Sequence, residues 1–299
     1  MAGGVLAWIE TPTDPRPIAW FRAWFGLVCL VNLALLWPDM PLWFGNDGVL
    51  PPAVHASTLG GRRLTLYAFT GYTDHTITLV RACGVAGGLS LLLGVYPRVG
   101  ALLTWLAVSS FAWRNMYILH SGDNLLRIGS FFLMFAQSGR AFSLPAWIRG
   151  WRARRADSSA LPAPLEPVPA WPQRILQLQL CVTYFVTGVV KASGRAWQEG
   201  NAVGTVLQLG ELQRFPIPDF LMTPLASHVM SYSTLAVELG FPLLVWFSRL
   251  RVPVLLMGLA FHLGLEWALN IQLFQWTILG FYLLFLVPRD VRTGSSGGR

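Results

Sequence analysis

Charge is the first thing this chain is short of. Asp, Glu, Lys and Arg make up 12% of its 299 residues, about half the fraction usual in soluble domains, while hydrophobic residues reach 54%. Eight spans of about 20 apolar residues would consume most of such a chain and leave little for a soluble domain. Cysteine is scarce as well. Cys29, Cys83 and Cys181 each lie in an apolar run, which excludes a disulfide-built secreted scaffold. Residues 1–16 have neither the basic start nor the small-residue cleavage site of a secretory leader. No phosphate-cradling loop, dinucleotide fingerprint, Cys-x-x-Cys, His-Glu-x-x-His or Gly-x-Ser-x-Gly stands in a supporting context. Lysine is scarcest of all: Lys191 stands alone against 21 arginines. Codon bias accounts for the 21 arginines but not for where the exception lies.

What is present is a series of apolar runs. They predict an all-α, polytopic integral membrane bundle of about eight transmembrane helices with a small outer-face cap. The expected spans are Pro17–Trp37, Thr76–Tyr96, Val99–Leu119, a fourth from Asn124 that fades near Gln137 to Leu144, Arg174–Lys191, Leu221–Phe247, Val252–Ala268 and Ile271–Val287. The polar connection Pro38–His75 is too long for a turn and supplies the cap. In the second span Gly84-x-x-x-Gly88 offers a close approach to a neighbouring helix. Residues 1–16 precede a transmembrane domain over 17–290, and 291–299 form a Gly/Ser-rich tail read as disordered. Within the domain, halves 17–145 and 173–290 are joined by a basic, Pro-rich loop, 146–172. The segment Ser193–Asp219 is amphipathic and broken by Pro216 and Pro218, so it is expected at the interface rather than across it.

The net charge of +8 does not point to nucleic acid, because the arginines are spread in short segments between apolar runs. With the amino terminus inside, Arg98, the Arg149–Arg155 cluster, Arg249, Arg251, Arg289 and Arg292 all fall on the inner side. Arg62 and Arg63 in the cap run against this order. The orientation predicts a protein of the cell inner membrane, with both termini cytoplasmic and the cap on the outer side.

An ionisable group in the hydrocarbon costs about 2.5–3.5 kcal/mol at the centre, so each needs a reason. Gln177, Tyr184 and Lys191 fall at i, i+7 and i+14, one face of the fifth helix, with Thr187 and Gly188 between them. Lys191 therefore tops a polar stripe. A snorkelling anchor is the plain reading of a lysine at a span end, yet arginine does the anchoring elsewhere in this chain. An amine, unlike a guanidinium, can lose its proton when desolvated and serve as a general base. His262 and Glu266 stand at i, i+4 on the seventh helix, either satisfying each other or facing a cavity. As a metal site the pair is weak: further ligands are not identifiable, His228 being only a candidate third. On the sixth helix His228 and Ser231 lead at helical spacing to Glu238, which must meet a partner, be protonated or face water. Asp123 and Arg127, at i, i+4 at the start of the fourth helix, suit its dipole and each other, with Arg114 beside them at the end of the third. Arg22 and Arg81 are expected to tie helices together through carboxylates or carbonyls.

The run Tyr184-Phe-Val-Thr-Gly-Val-Val-Lys191-Ala-Ser-Gly-Arg-Ala-Trp197-Gln-Glu-Gly200 resembles a signature of the HTTM proteins. These are the "horizontally transferred transmembrane domain" family, related to vitamin K-dependent γ-glutamyl carboxylase. Further matches keep the same order: Phe21-Arg22 with Gly26, Leu93-Gly-Val-Tyr-Pro-Arg98, Arg114-Asn115, Gly122-Asp-Asn-Leu-Leu-Arg127, Glu238-Leu-Gly-Phe-Pro242, and Phe261-His262 with Phe274. The resemblance spans roughly residues 17 to 290. It implies a site open to the outer face, where a lysine at the position of Lys191 is the base that activates a reduced vitamin K or menaquinol-type quinone. Oxygen then yields a stronger base that removes a γ-proton from peptide glutamate, and carbon dioxide adds. A histidine at the place of His262 matters there too.

The resemblance has three departures. A counterpart of the animal enzyme's β-rich lumenal domain is not expected after the last span. Asp123 stands where the carboxylase has histidine, and Val190-Lys191 replaces a lysine pair. They count against peptide carboxylation more than against lysine-based quinol chemistry.

The expected roles follow. Lys191 is the base, and His262 orients the substrate with Glu266 holding it. Trp197 covers the lysine, and Tyr184, His228 and Glu238 belong to the substrate-binding set. Asp123, Arg127 and Arg114 line the outer mouth. The implied partners are the bilayer, a quinone-like molecule and a peptide glutamate, with no metal and no nucleic acid. The competing class is a non-enzymatic carrier, lipid-binding or immunity-type membrane protein that uses the same cavity for binding only.

Overall fold

The computed structural model describes residues 2–58, 64–159 and 161–286, so Arg62, Arg63, Arg289, Arg292 and the tail lie outside the described residues. The described residues are helical, with two isolated β-bridges, Thr13 to Val168 and Gln213 to Leu269. The chain divides into two compact units, residues 1–174 with 286–299, and residues 175–285.

The first unit holds α1 (Ala2–Glu10), α2 (Pro15–Leu36), the short helices α3 (Met40–Phe44), α4 (Pro52–Thr58) and α5 (Leu66–Thr70), then α6 (Asp74–Leu93), α7 (Pro97–Arg114), α8 (Ser121–Leu133) and α9 (Leu144–Ala156). Two of the long helices start where the sequence supplies a side-chain cap. Asp14 accepts from Arg16 N at 2.7 Å ahead of prolines in the first turn of α2, and Thr73 accepts from Thr76 N at 3.2 Å before α6. Gly94 ends α6 at φ 68°, a left-handed conformation suited to glycine, and any Cβ there would strike the guanidinium of Arg22.

The Gly-x-x-x-Gly of α6 does what its spacing suggests. A Cβ on Gly88 would sit 2.7 Å from Leu30, and Gly26 opposite lies against the backbone of Leu92 and Gly88, so α2 and α6 meet nearly backbone to backbone. The cap folds as α3 to α5. Met40 and Phe44 pack on Leu33, and Tyr67 joins Ile77, Val80 and Ala107.

The second unit takes up α10 (Trp171–Ser193) from residue 175, then α11 (Arg195–Gln198), α12 (Ala202–Leu207), α13 (Pro224–Leu244), α14 (Arg251–Ala268) and α15 (Phe274–Tyr282), which ends in a tight turn over Leu283–Phe285. The segment Ser193–Asp219 breaks into α11, α12 and single 3₁₀ turns. α12 is fastened to α13 because Ser227 and Ser231 accept from the amides of Gly204 and Val203, both at 3.1 Å.

Helices lie at all eight expected positions, but only three of them, α2, α6 and α10, are both long and apolar enough to cross a bilayer among the described residues. The others are shorter or carry polar faces. In α13, Ser227, Ser231, Thr234 and Glu238 are all buried, which lowers its apolarity without exposing it.

Candidate functional site

The polar stripe of α10 is the spine of the second unit. Gln177 is buried and donates to the carbonyl of Leu284 at 2.7 Å. One turn pair above it Tyr184 is buried against Phe241, ring centroids 4.6 Å apart. Lys191, at the top of the stripe, turns inward and pairs with Glu238 Oε1 rather than reaching outward. The lysine side chain is 30% exposed and the carboxylate 7%. Gly188 makes the meeting possible. A Cβ there would stand 2.8 Å from Leu239 and 3.2 Å from Glu238 Cβ, so its absence lets α13 bring the carboxylate up to the amine. Trp197 of α11 lies over the ammonium, Nζ 5.1 Å from its ring centroid. Tyr232 of α13 holds that short helix in place by donating to Gln198 O at 2.8 Å.

A second buried group runs across α10, α14 and α15. His262 Nε2 bonds the Tyr184 hydroxyl, His262 Nδ1 bonds Gln275 Oε1, and the hydroxyls of Tyr184 and Tyr282 are 2.6 Å apart. With the Gln275 carbonyl as acceptor, Nδ1 carries the imidazole proton. Tyr184 then donates to Nε2, and Tyr282 donates to Tyr184. Gly258 leaves room for Tyr282, whose hydroxyl would lie 2.1 Å from a Cβ there. Four side chains thus form one hydrogen-bonded chain in an apolar surround.

The two groups share a cavity of about 510 Å³, within the range of small-molecule sites. Lys191, Trp197 and Glu238 line one part of its wall, Tyr184, His262 and Gln275 another, and residues such as Leu207, Phe261, Phe274 and Ile278 supply the apolar remainder. Two buried polar atoms of this wall have no hydrogen-bond partner, Glu238 Oε2 and Gln275 Nε2.

Other expected site residues fall elsewhere. Glu266 does not hold His262. Its carboxylate pairs with Arg214 at 2.7 Å and accepts from the Trp276 indole at 3.1 Å, because Gln275 has already taken the imidazole nitrogen. His228 is exposed, packs over Gly200 and does not line the cavity.

In the first unit Asp123 caps its own helix, accepting from His120 N at 3.0 Å, while Arg127 lies over the Trp113 ring at 5.4 Å, so the expected Asp123–Arg127 pair does not form. Arg114 is buried, donates to Gly45 O at 2.7 Å and faces the Tyr72 ring. Beside it in the cap, burial pushes the Tyr67 hydroxyl well above its usual range, with Arg114 opposing the rise. Arg81 ties α6 to the end of α2 through the carbonyl of Trp37, as expected, while Arg22 reaches the carbonyl of Phe142 in the connection between α8 and α9.

The residues that spacing on α10 did not reveal are Gln275 and Tyr282. They stand at i, i+7 on α15, the same periodic polar signal in an apolar run that marks Tyr184 and Lys191.

Apolar helices of membrane-spanning length and a ligand-sized cavity with a paired ammonium and carboxylate define an integral membrane protein with a polar site set in an apolar wall. The HTTM domain matches residues 66–289, three quarters of the chain, and the protein belongs to the HTTM domain family. That range takes in every residue of the cavity, while the Phe21-Arg22 and Gly26 resemblance lies before it. No solved structure matches the chain.

Proposed function

We propose that this protein is a γ-carboxylase-like membrane enzyme that takes a proton from the hydroxyl of a quinol-type substrate, with Lys191 as the base. The observation that carries the reading is the lone lysine, paired with a buried carboxylate in the wall of an apolar cavity. A quinol of the vitamin K or menaquinol class suits that wall. Its rings match the aliphatic and aromatic lining, and its oxygens match the unpartnered Glu238 Oε2 and Gln275 Nε2. When bound and oxygenated, such a quinol supplies the strong base that carboxylation of a peptide glutamate requires.

The protein's own part is to receive a proton. Lys191 and Glu238 share one proton across their hydrogen bond. With that proton on the carboxyl group the amine is free to take another. The pair then ends as ammonium and neutral acid, with a net positive charge facing the cavity. Trp197 lies over the ammonium, and the Gln275–His262–Tyr184–Tyr282 chain fixes the imidazole at the wall. In this reading all eight helices span the inner membrane, the arginine-rich loops are cytoplasmic, and the cavity opens to the outer side.

The test is oxygen uptake driven by reduced menaquinone in proteoliposomes. Lys191→Arg should lower turnover by about 100- to 10,000-fold with expression and Tm near wild type, and Lys191→Ala should lower it as far and lower Tm as well, because the buried Glu238 loses its partner. Full activity in Lys191→Arg overturns the base assignment, since arginine is not deprotonated at working pH. Tight quinol binding without turnover in the wild type assigns the cavity to a binding protein instead.

A further inference from the structure

Buried polar atoms are hydrogen-bonded in native proteins, and each exception asks for an explanation. The cavity of the second unit carries two exceptions of opposite character. Glu238 Oε1 is taken by Lys191, but Oε2 has no partner, and a carboxylate oxygen in that position accepts. Gln275 Oε1 is taken by His262, but Nε2 has no partner, and an amide nitrogen donates. Both side chains are more than nine-tenths buried, and both line the cavity. The second oxygen and the amide nitrogen are left over because Lys191 and His262 each need only one atom of their partner.

We infer that Glu238 Oε2 and Gln275 Nε2 are the two polar anchors of the ligand. They select a largely apolar ring that presents a hydroxyl donor to the first and an oxygen acceptor to the second. The inference rests on the cavity being the quinol site and adds how the site tells one oxidation state from the other. Both forms of the ring offer an oxygen to Gln275. Only the reduced form has a hydroxyl hydrogen for Glu238. The oxidised form brings a carbonyl up to Oε2, leaves a buried acceptor unpaired and sets two acceptors against each other, so it is rejected. The product of oxidation is thereby released by the same carboxylate that receives the substrate.

The experiment measures binding, not turnover. Purified protein in nanodiscs is titrated anaerobically with 2-methyl-1,4-naphthohydroquinone, the corresponding naphthoquinone and the dimethyl ether of the hydroquinone, and quenching of tryptophan fluorescence is followed, since Trp197 and Trp267 line the cavity. The hydroquinone should bind at least about tenfold tighter than either of the others. In Glu238→Gln the lysine still has an amide oxygen to donate to, and an N–H₂ replaces Oε2, so the preference should vanish or reverse toward the quinone. Gln275→Leu should weaken hydroquinone and quinone alike, with Tm recorded to confirm folding. Equal binding of the three ligands by the wild type overturns the inference and leaves the quinol reading standing. Binding of none of them overturns the quinol reading, and the inference with it.

Discussion

Gly188 lies one turn before Lys191, and its missing Cβ brings lysine and glutamate together. Gly188→Val would force α13 away from α10, at a cost of about 1–3 kcal/mol typical of overpacking. It should lower Tm and strip activity together, whereas Gly210→Ala, with nothing within 4 Å, should do neither. The cost of a charge in lipid picked out Lys191, and side-chain spacing picked out Tyr184 and His262. Spacing places residues on a face without saying what the facing helix offers. His262 and Glu266 share a face of α14, yet Gln275 reaches the first and Arg214 the second. Glu238 needed a partner by the same cost argument, but only the approach of α13 at Gly188 identifies that partner as Lys191.

At the scale of elements, a polar stripe on one helix implies polar residues on those it packs against. α10 contributes Tyr184, α14 His262, and α15 Gln275 and Tyr282, so the hydrogen-bonded chain is shared among helices that a single periodic pattern cannot connect. Tyr282→Phe removes one bond from this chain and should cost about 1 kcal/mol in thermal unfolding, with the ligand affinity changed far less than in Gln275→Leu. Helix starts were legible where a capping residue or proline stands. The ends were less so, and α8 stops at Leu133, short of the expected fade near Gln137. Polar faces such as that of α13 also explain why eight apolar runs yield three helices of clear spanning character. The residues that build a site inside a bundle dilute the signal by which a span is recognised.

For the whole molecule, the basic stretch from Arg149 to Arg155 and the Pro-rich residues after it lead into α10, and they fix the expected sidedness. In spheroplasts of a strain lacking the native cysteines, Ser158→Cys should resist a membrane-impermeant maleimide until the membrane is opened, while Glu199→Cys beside α11 should react at once. The reverse pattern would invert the topology. The family and the helical class were legible because arginine placement, apolar length and an ordered set of short motifs are properties of the chain itself. The cavity was not, since it depends on where helices distant in sequence come to rest.

The central claim is that the ligand's ring sits in the second unit between the lysine–glutamate pair and the imidazole. An azido-naphthoquinone photolabel, activated on the membrane-embedded protein and mapped by peptide mass spectrometry, tests it most directly. Label should fall on peptides that line the cavity, 183–191, 230–238 and 260–278, and excess menaquinol should compete it away. Label confined to the first unit, or spread over lipid-facing residues without competition, would contradict the account.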